Sequence, residues 1–350
     1  MIGLMSLLAI FPVAEDWAVF EGRDGPGKGK HVVLLAGDEE YRSEEALPQL
    51  AKILATRHGF KCTVLFSIGK DGTIDPERRD QQPGLHLLES ADLAVLMLRF
   101  RQWPEEEMRR LEDYLRSEKP ILALRTSTHA FAHDSGPFTH YRWNNAAAPP
   151  PSGVGFAPWK GGFGREVLGE TWVSHWGEHG KQATRGVPEQ AATGHPVLRG
   201  VENVFVPTDV YEAHPPKDCE ILMRGQVVAG MSPSDPPASG TKRNALDSVQ
   251  PLNDPMMPVV WAREALPVLP GLRRSPVRPN RVLTTTMGSA LDLSNEGFRR
   301  LLVNGVYWLT GLEAPAKADV RLVGDFKPSS YGFGGFKRGI RPKELQGRVP

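Results

Sequence analysis

Three histidines and four arginines of this chain stand where such side chains can move protons or grip oxygen anions. His129 closes the run Lys119 to Phe131 (KPILALRTSTHAF), in which an apolar stretch, Pro120 to Leu124, switches abruptly to Arg-Thr-Ser-Thr-His. His175 and His179 bracket the sequence His-Trp-Gly-Glu-His. An imidazole is the side chain best suited to general acid–base work near neutral pH. Arg42, Arg99, Arg101 and Arg125 each follow an apolar run that reads as a strand. If those strands are parallel, the four guanidinium forks share one rim, where they can bind carboxylates, phosphates or vicinal hydroxyls. The same arginines can instead close internal salt bridges with Asp38, Glu39 and Glu40 on the neighbouring loop.

Several familiar chemistries are disfavoured. His129 lies five residues beyond Leu124, where a strained strand-to-turn elbow can expose a side chain, but the turn holds no Cys and Ser127 has no Gly-x-Ser-x-Gly frame. A serine hydrolase is therefore a weak reading. His175 to His179 match the H-x-x-E-H pattern of inverted zinc proteases, which needs both histidines on one helical face. Gly177 and Gly180 oppose a helix there. A looser divalent-metal or polar site joining His175 or His179 with His129 stays open, beside purely structural hydrogen bonding. Trp143, Trp159, Trp172 and Trp176 crowd the same region and could stack on sugar rings or simply fill a core under long loops. No Gly-x-Gly-x-x-Gly opens a helix and no P-loop is present, which disfavours nicotinamide and nucleotide binding.

The elements that must position these residues are legible as buried runs. His31 to Ala36, Cys62 to Phe66, Asp92 to Leu98 and Ile121 to Leu124 read as strands of a parallel sheet buried on both faces. Leu47, Leu50, Ala51 and Leu54 mark a helix, which Pro48 should delay to about Ala46 and Gly59 should stop. Pro104 and Glu105 to Glu107 open a second helix. Shorter strands return at 204–206, 210–213, 220–224, 258–262 and 281–287, before a last helix capped by Ser294 or Asn295 and stopped at Gly311. The order predicts an α/β fold with right-handed crossovers and long loop insertions.

Composition sets the remaining bounds. The hydrophobic fraction of 40% suits a globular chain, and a net charge of +1 gives no argument for a nucleic-acid or anionic-membrane partner. Cys62 and Cys219 read as two buried thiols. Met1 to Ala14 is too short to span a bilayer and reads as a truncated export signal, which implies a periplasmic or secreted protein; a buried N-terminal arm, with a cytoplasmic location, is the alternative. The expected organisation is a signal segment at 1–14, a linker at 15–29, one α/β domain at 30–312 and a surface-wrapping arm at 313–350.

Read together, these features resemble the ThuA-like (trehalose-utilisation) family. The resemblance runs through His31–Gly37, Pro120–Phe131, Gly169–His175, His195–Gly200, Thr208–Tyr211, Pro258–Trp261, Arg281–Gly288 and the last helix. It implies a flavodoxin-like, class I glutamine amidotransferase-like fold without the amidotransferase Cys. It further implies a role in carbohydrate metabolism on a 3-keto glycoside made by a partner sugar oxidoreductase. His129, His175, Asp209 and Tyr211 match the family's motifs, whereas Arg125 and Ser289 stand where many members have His. The expected roles are catalysis by His129, His175 and Asp209, and substrate binding by Arg42, Arg99, Arg101, Arg125, Tyr211 and Trp176. Two alternatives stand beside this enzyme: a non-catalytic sugar-binding module and a metal-dependent hydrolase.

Overall fold

The computed structural model describes residues 16–146, 159–264 and 280–346. The segment 1–14 read as an export signal lies outside them. In chain order the first half contains β1 (Trp17–Phe20), β2 (His31–Gly37), α1 (Ser43–His58), β3 (Lys61–Phe66), β4 (Leu93–Leu98), α2 (Glu105–Arg116) and β5 (Ile121–Leu124). The second half adds β6 (Ser174–His175), β7 (Thr184–Pro188), β8 (Phe205–Val206), β9 (Tyr211–Glu212) and β10 (Cys219–Val227). It continues with β11 (Thr241–Arg243), β12 (Val249–Pro251), β13 (Met257–Glu264), β14 (Arg281–Thr285), α3 (Glu296–Leu309) and a single turn, α4 (Pro342–Leu345).

Ten strands form one mixed sheet in the order β1-β3-β2-β4-β5-β14-β13-β10-β7-β8. The run β3-β2-β4-β5-β14 is parallel, and every other neighbouring pair is antiparallel. Apolar residues of α1 and α3, such as Leu50, Leu54, Leu302 and Val306, cover one face. Met108 and Leu111 of α2 pack on the other face with Val33, Leu35 and Leu96. Because both faces are covered, the parallel strands carry continuous apolar runs, and each buried Leu contributes about 1.5–3 kcal/mol. The registers bring the strands' polar tips to one rim: Gly37 lies opposite Leu98, and Leu124 opposite Thr285. Chain order along the parallel run reverses at β2, and such sheets admit ligands beyond the carboxyl ends at that point.

Several elements depart from the sequence reading. Residues 15–29, read as a linker, hold β1, whose alternating Ala18 and Phe20 are buried against the edge of β3. Helix α1 begins at Ser43 despite Pro48, with Arg42 as its left-handed N-cap (φ 61°). The proline removes one hydrogen bond from an early turn, and burial of the apolar face outweighs that loss. Asn295 caps α3 through a side-chain oxygen that accepts from the Phe298 N–H at 2.8 Å. Strand β7 and the β11–β12 hairpin carry no sustained apolar alternation and were not foreseen. Both cysteines are free thiols, Cys62 buried and Cys219 only partly so. No helix of the described residues is long and apolar enough to cross a membrane.

Candidate active site

Three parallel strands reach the rim through strained residues. Arg42, Phe100 and Arg125, just beyond β2, β4 and β5, take φ values of 61°, 51° and 37°. Non-glycine residues in this region cost about 1–3 kcal/mol each and persist only where their surroundings hold them. Their turns aim Arg125 at Asp209, which arrives from the second half of the chain beside β9, and bring Tyr41 against the same guanidinium.

Arg125 is wholly buried. Its Nη1 donates to the carbonyls of Asp209 (3.0 Å) and Thr286 (2.8 Å), and its Nη2 to Tyr41 Oη (3.1 Å) and Asp209 Oδ1 (2.8 Å). The guanidinium lies between the rings of Tyr41 and Tyr211, 4.2 and 4.1 Å from their centres. This arginine was expected to hold substrate; instead it underpins Asp209. The Asp209 carboxylate is shared between two histidines: Oδ2 meets His175 Nδ1 at 2.7 Å, and Oδ1 meets His179 Nδ1 at 3.0 Å. Burial alone would raise the Asp209 carboxyl, but Arg125 and the two histidine hydrogen bonds hold it well below the usual carboxylate range. An ionised carboxylate accepts only, so His175 Nδ1 must donate to it. In the neutral ring this arrangement places the lone pair on Nε2, for which no described residue is a partner. His179 also approaches Glu40 Oε1 through Nε2, at 3.5 Å.

His129 sits nearby in an aromatic setting. Phe100, Trp172 and Tyr211 surround its ring at 5.0, 5.6 and 6.4 Å, and Thr128 Oγ1 meets its Nδ1 at 3.2 Å. Burial, then the charges of Arg99 and Arg125, push it well below the usual histidine range, so it is neutral. Trp172 joins the two halves of the cleft, since its ring also meets His175 at 5.9 Å and Trp143 at 5.8 Å. Gly169, just upstream, turns at φ 96°, where a Cβ would meet Cys219 Sγ at 2.7 Å; this tight turn leads into the Trp172 segment.

The remaining expected site residues divide. Glu39 gathers Arg79, Arg99 and Arg101 into a mostly internal ion cluster. Arg101 is fully buried and also donates to the carbonyls of Pro76, Arg78 and Arg99. Arg42 is buried and directed at the carbonyls of Glu39, Glu40 and Gly332. Arg99 alone of the four keeps partial exposure, 15% of its side chain. Its guanidinium lies between Phe100 and Phe333 at 4.5 and 4.9 Å. Trp176 is buried and donates to the Leu252 carbonyl, so it serves packing and not the cleft. Trp159 likewise packs on Tyr141. The place of Tyr41, Glu40 and the arm at the site was not foreseen: Tyr331 packs on Tyr41 at 5.3 Å and meets His179 at 5.5 Å. Only the aromatic Tyr-Gly-Phe-Gly-Gly-Phe run hinted that the tail had something to cover.

Chemically, the arrangement is an oriented imidazole backed by a buried carboxylate, beside a neutral imidazole under an aromatic wall. It also brings one ligand atom each from His175, His179 and Asp209 within 4.8 Å of one another, close enough for a metal ion. A cation there would have to share Asp209 with Arg125 and displace at least one histidine hydrogen bond.

No protein-family model and no curated protein matches the chain. Among solved structures, one named as a ThuA-like protein from Parabacteroides merdae is similar, at 16% identity over 87% of this chain and 98% of its own, with a TM-score of 0.45. Another, named as a ThuA-like protein from Bacteroides uniformis, is 15% identical over 85% and 95%, with a TM-score of 0.44. The mmIFT52 N-terminal domain is 11% identical over 82% and 100%, with a TM-score of 0.40.

Proposed function

We propose that this chain is an acid–base enzyme of carbohydrate catabolism that acts on a 3-keto glycoside or a closely related sugar. The hydrogen bond between His175 Nδ1 and the buried Asp209 carboxylate (2.7 Å) carries the reading, because it orients Nε2 as a base. The aromatic wall of Phe100, Trp143 and Trp172 supports a sugar as ligand, and the sequence resemblance to the ThuA-like family supports the substrate class. The finer fold assignment, flavodoxin-like, is supported by the reversal of chain order at β2.

In this mechanism the ketone at C3 acidifies the C2–H bond. His175 Nε2 takes that proton, and the C–H electron pair forms the enolate between C2 and C3. Collapse of the enolate restores the ketone, forms the C1–C2 double bond and expels the C1 substituent with its bonding pair; the leaving oxygen regains a proton from the imidazolium or from water. Return of the proton to the other face of C2 would give isomerisation instead. Neutral His129 and the exposed edge of Arg99 hold substrate oxygens, while Arg125 and Asp209 act through His175. A sugar oxidoreductase must supply the ketone.

Turnover of a 3-keto glucoside by the wild type and by His175→Ala, with binding followed by thermal stabilisation, is the test. Loss of turnover with binding retained is expected. Binding without turnover in the wild type would instead make the chain a sugar-binding module. A metal-dependent hydrolase is favoured by one observation, the proximity of His175, His179 and Asp209. It requires stoichiometric metal in the purified protein and metal-dependent turnover.

A further inference from the structure

The β11–β12 hairpin forms a small sheet of its own, yet it is tied at several points to the segment 174–176 that carries the base. Lys242 of β11 donates from Nζ to the His175 carbonyl and, at 3.4 Å, to the Trp176 carbonyl. The same ammonium lies 5.6 Å from the centre of the Trp176 ring. Just beyond β12, the Leu252 carbonyl accepts from Trp176 Nε1 at 2.8 Å. At the hairpin's turn the Ala245 N–H donates to Glu212 Oε1 at 2.6 Å, and Glu212 Oε2 accepts from Ser174 Oγ at 2.9 Å. We propose that this hairpin is a clamp that positions His175, with Lys242 as the positioning residue, an inference that rests on the acid–base reading above.

The base needs such a hold. Strand β6 pairs with β9 only through Ser174 opposite Glu212 and His175 opposite Tyr211, and so short a two-stranded ladder is marginal by itself. The His175 side chain is half-buried, and among the described residues its one polar partner is Asp209. Where Nε2 points therefore depends on where the backbone at 175 is fixed. The hairpin can fix it because it is rooted in the large sheet. Asn253 Oδ1 accepts from the Val227 N–H at 2.7 Å, and Asn253 Nδ2 donates to the carbonyls of Val227 (3.0 Å) and Ala238 (2.9 Å). A line of polar contacts thus runs from β10 through Asn253 and the hairpin to His175. An ammonium has three donors and no acceptor, and its bonds to carbonyls are charge-assisted, so it holds two neighbouring carbonyls better than a neutral side chain would.

Two measurements test the clamp on the wild type, Lys242→Met and Lys242→Arg: exchange of the C2 proton of a 3-keto glucoside in deuterium oxide, and nitrogen NMR of protein labelled in its histidine rings. Lys242→Met keeps the bulk beside Trp176 and removes the donors. It should lower kcat for exchange about 10–100-fold, the effect of a base misplaced by about 1 Å, with KM and Tm nearly unchanged. Lys242→Arg still donates and should recover most of the rate. The His175 ring, identified by the signals lost in His175→Asn, should carry its proton on Nδ1 in the wild type and Lys242→Arg and become a mixture of tautomers in Lys242→Met. An unchanged kcat or an unchanged tautomer in Lys242→Met would overturn the clamp, as would a rate loss that follows a fall in Tm. If the wild type exchanges no C2 proton, the acid–base reading falls, and the tautomer comparison decides the clamp without it.

Discussion

A guanidinium taken out of water without a partner is destabilising by several kcal/mol, and Arg125 avoids this through Asp209, two carbonyls and two phenol rings. Asp209→Asn should therefore lower stability by about 3–5 kcal/mol, read from denaturant midpoints. The carboxyl of Asp209 is depressed in the folded state, so its contribution is complete above its unfolded value near 4 and erodes as pH falls further. Stability of the wild type should fall on acidification below that value, more steeply than that of Asp209→Asn. Glu44 behaves oppositely. Neither of its oxygens has a hydrogen-bond partner among the described residues, and burial pushes its carboxyl up to about 8. The unfolded chain ionises first, so Glu44 erodes stability as pH rises from about 4.5 to 8, by up to about 1.4 kcal/mol per pH unit. Glu44→Gln should raise Tm at pH 8 and change it much less at pH 5; equal shifts at both would contradict the assignment. At this scale the sequence announced the histidines by their polar setting, and Asp209 only by family resemblance. It could not separate Trp172, which walls the cleft, from Trp176, which fills the core, because both sit in one irregular segment without a period. Nor could it tell that Arg125 is enclosed while Arg99 keeps an open edge, since that depends on which loop closes over each strand end.

Among the elements, the C-terminal arm is the one whose position changes the account. Its described residues 331–333 lie across the rim. Gly332 O accepts from Arg42 at 2.6 Å, Tyr331 lies on Tyr41 and His179, and Phe333 lies on Arg99 although 64% exposed. An exposed side chain contributes little to folding, within about 0.5 kcal/mol. Phe333→Ala should therefore leave Tm nearly unchanged yet weaken sugar binding several-fold in a titration. A large fall in Tm with unaltered affinity would assign the arm to stability alone. The parallel strands and three long helices were legible because continuous apolar runs and a 3.6-residue period are strong local signals. Strands β1, β7 and β8 were obscure or blurred at their ends because they are short, lie toward the sheet's edges and owe their pairing to partners distant in sequence.

For the whole molecule, β14 is decisive, since it pairs in parallel with β5 and antiparallel with β13. Neither half of the sheet is complete without β14, the last of the described strands in chain order. Thermal unfolding should accordingly be one cooperative transition, coincident by far-UV dichroism and tryptophan fluorescence; two separated transitions would mean the halves fold independently. The same closure brings His175 and Asp209, both from the second half, under the rim built by β2, β4 and β5, so this pair and the Arg125 that supports it come from opposite halves of the chain. The reaction turns on His175 acting as a base, and hydrogen exchange at C2 reads that step itself. A 3-keto glucoside incubated with the protein in deuterium oxide should lose its C2 proton signal by NMR at a catalysed rate. His175→Asn should abolish that exchange while the sugar still raises Tm. Exchange at an undiminished rate in His175→Asn, or none above background in the wild type, would contradict the account.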